Sequence, residues 1–99
     1  MSIYTISSSI IYADVRTNDK TVVLPNAETV LGKTFTICDR YGVNGSPYFI
    51  TLSTVSGNFI DTTQTQIQFS NQYQSVRVFA QSPTNYAVIQ NSLLGNTWL

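Results

Sequence analysis

Histidine is absent from the 99 residues, and cysteine, methionine and tryptophan occur once each. Without histidine there is no imidazole base, no His-dependent triad and no His-ligated metal. The single cysteine, Cys38, excludes an intrachain disulfide. With no histidine to activate it, Cys38 reads as a small packed residue on a strand. Charge is scarce too: five Lys+Arg balance five Asp+Glu, 10% of the chain. A nucleic-acid-binding domain carries a basic surplus to neutralise phosphates. Here the surplus is zero, and Arg16, Lys20, Lys33, Arg40 and Arg77 are scattered. Disorder needs low hydrophobicity with high net charge, whereas 42% of these residues are hydrophobic. Long apolar runs are missing: Ile10-Ile11-Tyr12-Ala13 is among the longest, far short of the roughly 20 residues of a spanning helix. The first residues have neither a basic nor an apolar segment, so no secretory signal is expected.

Sparse chemistry follows from these absences. The acids are Asp14, Asp19, Glu28, Asp39 and Asp61. A pair of carboxylates can hydrolyse a glycosidic bond when about 5 to 10 Å apart, but four of these acids fall at strand ends or in loops, where Asp is an ordinary turn former. No calcium-loop spacing of acids occurs. Gly42 and Gly45 are isolated turn glycines and form no phosphate cradle. Asn44-Gly45-Ser46 matches a glycosylation acceptor in form; followed by Pro47, it reads as a turn. The expectation is a non-enzymatic domain with no catalytic residues, no cofactor and no metal.

What is present is neutral and polar. The chain has 11 Ser, 13 Thr, 8 Asn and 7 Gln. Nine Val, nine Ile and the threonines are β-branched, and 12% of residues are aromatic, whereas Ala, Leu, Glu, Lys, Arg and Met are few. Such side chains suit a pleated surface and lose rotamer freedom in a helix.

Period-2 alternation places strands at 3–6, 10–15, 21–24, 33–39, 48–55, 66–70, 75–81 and 85–90. Phe35 and Ile37 share one face, with Thr34, Thr36 and Cys38 on the other. Ile50 with Leu52, Ile67 with Phe69, and Val76 with Val78 and Ala80 form further inward sets. Turns fall at 26–29, 41–47, 56–58, 71–74 and 82–85, the second of them around Asn44-Gly45. The expected fold is all-β: a single antiparallel β-sandwich or jelly-roll-like domain of about eight short strands. It divides into N-terminal strands (1–19), a main module (20–90) and an apolar tail (91–99).

Several strands are apolar on both faces: Val78 beside Phe79, Val88 beside Ile89, and Val22-Val23-Leu24. A strand with one wet face does not look like this: either both faces are covered inside the subunit, or one face packs on a neighbouring subunit. The tail carries Leu93, Leu94, Trp98 and Leu99; each large apolar side chain left in water forgoes roughly 1.5 to 3 kcal/mol, so the tail either folds back on the chain's own core or supplies these four residues as subunit contacts. Its removal is expected to weaken assembly. Tyr41, Tyr48, Tyr73 and Tyr86, in or beside turns, are candidate ligand contacts, because aromatic faces stack on sugar rings. They motivate an alternative function, a stand-alone carbohydrate-binding sandwich.

From Lys20 to Ile89 the order of Thr21-Val22-Val23-Leu24-Pro25, Gly32-Lys33-Thr34-Phe35-Thr36-Ile37-Cys38-Asp39, Tyr48-Phe49-Ile50-Thr51-Leu52, Phe59-Ile60-Asp61, Tyr73-Gln74-Ser75-Val76-Arg77-Val78 and Ser82-Pro83-Thr84-Asn85-Tyr86-Ala87-Val88-Ile89 resembles a β-rich module of phage tail fibres and other viral fibre and spike proteins. Gln74 and Pro83 depart from it, standing where the module has glycine. The resemblance implies a homotrimeric structural domain of a virion fibre, spike or capsid-surface protein, made in the host cytoplasm. Its implied partners are copies of itself, other virion proteins and a host-surface glycan or protein. The zero basic surplus predicts no nucleic-acid partner, and the shortness of the apolar runs predicts no membrane insertion.

Overall fold

A computed structural model describes residues 2–5 and 9–92. Nine strands follow one another: β1 (Ser2–Thr5), β2 (Ile10–Ala13), β3 (Lys20–Val23), β4 (Thr34–Asp39), β5 (Ile50–Ser53), β6 (Phe59–Ile60), β7 (Gln66–Gln68), β8 (Ser75–Ser82) and β9 (Asn85–Ser92). They form a four-stranded sheet, β1-β3-β5-β7, and a five-stranded sheet, β2-β4-β8-β9-β6. All eight expected strands are there, and the all-β sandwich stands. Pro25 ends the β3 region, as a residue without an N–H must. Asn26 then caps a single 3₁₀ turn, Ala27–Val30, its side chain accepting from the Glu28 N–H.

The pairing is mixed rather than wholly antiparallel. β1 with β3, β3 with β5, β2 with β4, and β6 with β9 run parallel; β4 with β8, β8 with β9, and β5 with β7 run antiparallel. The reason lies in the order of the sheets. From β1 to β8 every connection crosses to the other sheet. Parallel neighbours need a long crossover, usually a helix; here a strand of the opposite sheet takes that place. Among the described residues only β8 and β9 form a tight hairpin, closed at Pro83-Thr84 between the paired Ser82 and Asn85.

Alternation fills the space between the sheets. Along β4, Phe35, Ile37 and Asp39 are buried, while Thr36 and Cys38 are half-buried and Thr34 is exposed. Along β8, Val76, Val78 and Ala80 are buried. Val15, Val22, Leu24, Ile50, Leu52, Ile60, Phe69 and Tyr86 complete the core. Val22 and Leu24 both face inward, and Val23 is half-buried.

The doubled apolar pair Val88-Ile89 has a local explanation. Arg77 faces Gln90 and Val78 faces Val88, so Ile89 is an extra residue at a bulge. It is half exposed.

Edge strands differ in their protection. β6 and β7 are only two and three residues long, and short edges offer little to pair with. β1 and β2 have four residues each, and neither carries a charge. Ile3 is 70% exposed, Ile10 51% and Tyr12 60%.

Candidate functional site

At one end of the sandwich the segments after β2, after β4 and before β8 meet. The phase of β2 and β4 sets this up. Buried Val15 continues the inward phase of Ile11 and Ala13, which leaves Asp14 and Arg16 together on the outer side. Arg16 grips Asp14 with two side-chain bonds, Nε to Oδ1 at 3.0 Å and Nη2 to Oδ2 at 2.9 Å, and its backbone N–H donates to Oδ1 as well. Those bonds hold the Asp14 carboxyl below its ordinary range and push the Arg16 guanidinium up. Both are exposed, so the pair orients more than it stabilises.

Asp39 continues the inward phase of Phe35 and Ile37 and is buried. Its carboxylate faces backbone N–H groups instead of a cation. It accepts from Asn44 and Tyr73 at 3.0 Å each and from Val43 at 3.4 Å. One side chain thus fastens two loops distant in sequence. Asn44, also buried, donates to the Phe69 and Asn71 carbonyls and accepts from the Ile50 N–H at 2.8 Å. Gln74, in phase with Val76, accepts from the Ser70 and Asn71 N–H groups and donates to Asn91. Asp19 accepts from the Phe49 N–H at 2.9 Å. Among the described residues every buried side-chain N or O atom has a partner, so this end is a fully bonded platform.

On the platform sit two tyrosines and two guanidiniums. Arg16 Cζ lies 3.6 Å from the centroid of the Tyr41 ring and Arg40 Cζ 5.3 Å from it, both within cation–π range. Tyr73 is 55% exposed, with a backbone φ of 57°, a region bulky residues rarely enter. Its ring lies against Gly42, where a Cβ would collide with it. Among the described residues Arg40 has no ion-pair partner.

The four tyrosines expected at a ligand site do not stay together. Tyr41 and Tyr73 share the platform and are exposed. Tyr48 is partly buried and packs on the core. Tyr86 is a correction: it is fully buried and presents no ring face. It pairs with buried Ile60 across the sheet, meets Phe35 edge-on, and donates its hydroxyl to the Pro25 carbonyl at 2.6 Å. Burial pushes its hydroxyl up to about 12.

Leu93, Leu94, Trp98 and Leu99 lie outside the described residues. Asp61 accepts from the Val88 N–H, so four of the five acids hold backbone or guanidinium groups. Among the described residues no cluster of three His, Cys, Asp or Glu could hold a metal, and no helix is long and apolar enough to cross a membrane. Cys38 is half-buried on the outer face, its Sγ 3.6 Å from Ser75 Oγ. Asn44 is 3% exposed with both ends of its amide engaged, which leaves its Asn-Gly-Ser triplet no acceptor for a glycan.

Arg16, Arg40, Asp39, Asn44 and Gln74 escape a search for catalytic motifs. A signal for two of them exists: Asp39 and Gln74 sit on the apolar phase of their strands, and a polar residue there must be buried and bonded. The pairing of Arg16 with Tyr41 has no such mark, because it joins two separate loops. No protein-family model matches the chain, and no curated protein matches it.

Proposed function

We propose that this chain is a non-enzymatic structural domain of a virion fibre, spike or capsid-surface protein, assembling with copies of itself as a homotrimer and leaving its loops available for host attachment. The observation that carries the reading is the pair of uncharged edge strands, β1 and β2, with Ile3, Ile10 and Tyr12 exposed. Charge is the usual guard against edge-to-edge pairing, and these edges have none. The order of elements from Lys20 to Ile89 resembles the fibre module and supplies the viral setting. The virion is the proposed location, with other virion proteins and a host-surface glycan or protein as further partners.

Light-scattering mass after gel filtration tests the assembly. A trimer weighs three times the 11.0 kDa of one chain; a chain that stays at 11.0 kDa at micromolar concentration refutes it.

A second reading, a carbohydrate-binding sandwich, is favoured by one observation: the exposed rings of Tyr41 and Tyr73 on a rigid platform. Aromatic rings fixed in place bind with little entropic cost. Glycan binding by a monomer, lost on Tyr73→Ala, is its expected outcome.

A further inference from the structure

We propose that Tyr73 and Arg40 form a site for a carboxylated pyranose, the sialic or uronic acid unit of a glycan. The inference rests on the carbohydrate-binding reading and adds the charge and class of the sugar.

Three observations converge. The first is the Tyr73 backbone. A bulky residue in the left-handed region is strained, and such strain persists only where the surroundings enforce it. Here the Asp39 carboxylate holds the Tyr73 N–H, and Gly42 leaves room for the ring. The ring so placed adds little to the core, since Tyr73 is 55% exposed. It offers a fixed aromatic surface to a ligand.

The second is the division of labour between the arginines. Arg16 is committed to Asp14 through a bidentate bond and lies over Tyr41. Arg40 borders the same ring but has no ion-pair partner among the described residues. Its guanidinium can offer two parallel N–H donors to a carboxylate.

The third is the direction of the nearby acids. Asp39 is turned inward to three backbone amides, Asp19 binds the Phe49 N–H, and Asp14 faces Arg16. An incoming carboxylate at Arg40 meets no acid free of such a bond among these. Exposed Asn71 and Gln72, beside Tyr73, supply amides for sugar hydroxyls.

A sugar carboxylate on Arg40 with the pyranose C–H face on Tyr73 uses both groups, whereas a neutral sugar uses only the ring and a simple anion only the guanidinium. The test is an amide-shift titration of the whole protein by NMR with a methyl sialoside, a methyl glucuronide, a methyl galactoside and acetate, each at millimolar concentration. Both acidic sugars are expected to shift the amides of residues 40–42 and 71–74. Arg40→Gln is expected to weaken them about tenfold or more, the loss of a charge-assisted bond, down to the level of the galactoside. Its side chain is exposed and its backbone bond to the Ala13 carbonyl is independent of it, so the fold is retained. Tyr73→Ala abolishes the shifts with every sugar.

Equal shifts with the galactoside overturn the carboxylate claim and leave the carbohydrate reading standing. Shifts with acetate as strong as with the acidic sugars reduce the site to an anion contact and overturn it too. No shift at these residues with any sugar overturns both.

Discussion

Asp39 should be the most costly surface-loop anchor to remove. Its carboxylate binds three N–H groups of two loops, two of them at 3.0 Å and one at 3.4 Å. In Asp39→Ala the Asn44 N–H loses its partner in a buried place, at about 1–3 kcal/mol. The Tyr73 N–H is partly wet and loses about 1 kcal/mol. The sum is about 2–4 kcal/mol, a large share of the roughly 5–15 kcal/mol of a typical domain. For a chain of this size it corresponds to a fall in Tm of about 10–25 °C. Asp39→Asn separates the bonds from the volume. Its amide oxygen can occupy the Oδ2 position, which serves both short bonds, so only charge assistance and the long Val43 contact go, about 1 kcal/mol. Urea unfolding of both variants measures the gap, and hydrogen exchange at Val43, Asn44 and Tyr73 locates it. Equal losses for Asn and Ala, or an Ala loss below about 0.5 kcal/mol, would refute the assignment of these loops to one carboxylate.

Tyr86→Phe removes the bond to the Pro25 carbonyl and should cost about 1 kcal/mol at neutral pH. The folded hydroxyl titrates at about 12 against an ordinary 10.0, so the stabilisation this difference represents is whole below pH 10 and is lost as pH rises toward 12. Urea midpoints of wild type and Tyr86→Phe should therefore converge across that window; a constant gap counts against it. Tyr12→Lys places a charge on an exposed edge strand and should lower the oligomeric mass while leaving the circular dichroism spectrum unchanged; an unaltered mass removes β2 from the interface. Asn44-Gly45 should resist deamidation in the folded protein, because the Asn44 amide is bonded at both ends and the Gly45 N–H donates to the Tyr48 carbonyl. Mass spectrometry after incubation in buffer and in urea checks this, with a gain of acid expected only in urea.

The platform is partly legible in the sequence. Tyr41 and Tyr73 stood out as aromatics in turns, and both are exposed at one end. Tyr86 carried the same turn-edge signature and is buried, because it begins a strand whose inner phase it shares with Val88. Whether an aromatic beside a turn faces in or out depends on the register of the strand next to it, which is set across the sheet. Arg16 and Arg40 were only scattered charges until β2 and β4 paired side by side and brought the segments after them together.

Composition and alternation alone determined that the chain is β, where eight of the nine described strands fall, and which side chains of the clearly alternating strands face the core. That is because a side-chain period of two is a local property of extended backbone. Phe35 with Ile37, and Val76 with Val78 and Ala80, are buried on that rule. The same period holds for parallel and antiparallel neighbours alike, so it could not reveal that consecutive strands alternate between sheets. Tertiary structure decided the mixed pairing, the bulge at Ile89, and the meeting of Asp39 with the amide of Tyr73. Each depends on contacts between residues far apart in the chain, where no local spacing carries the information.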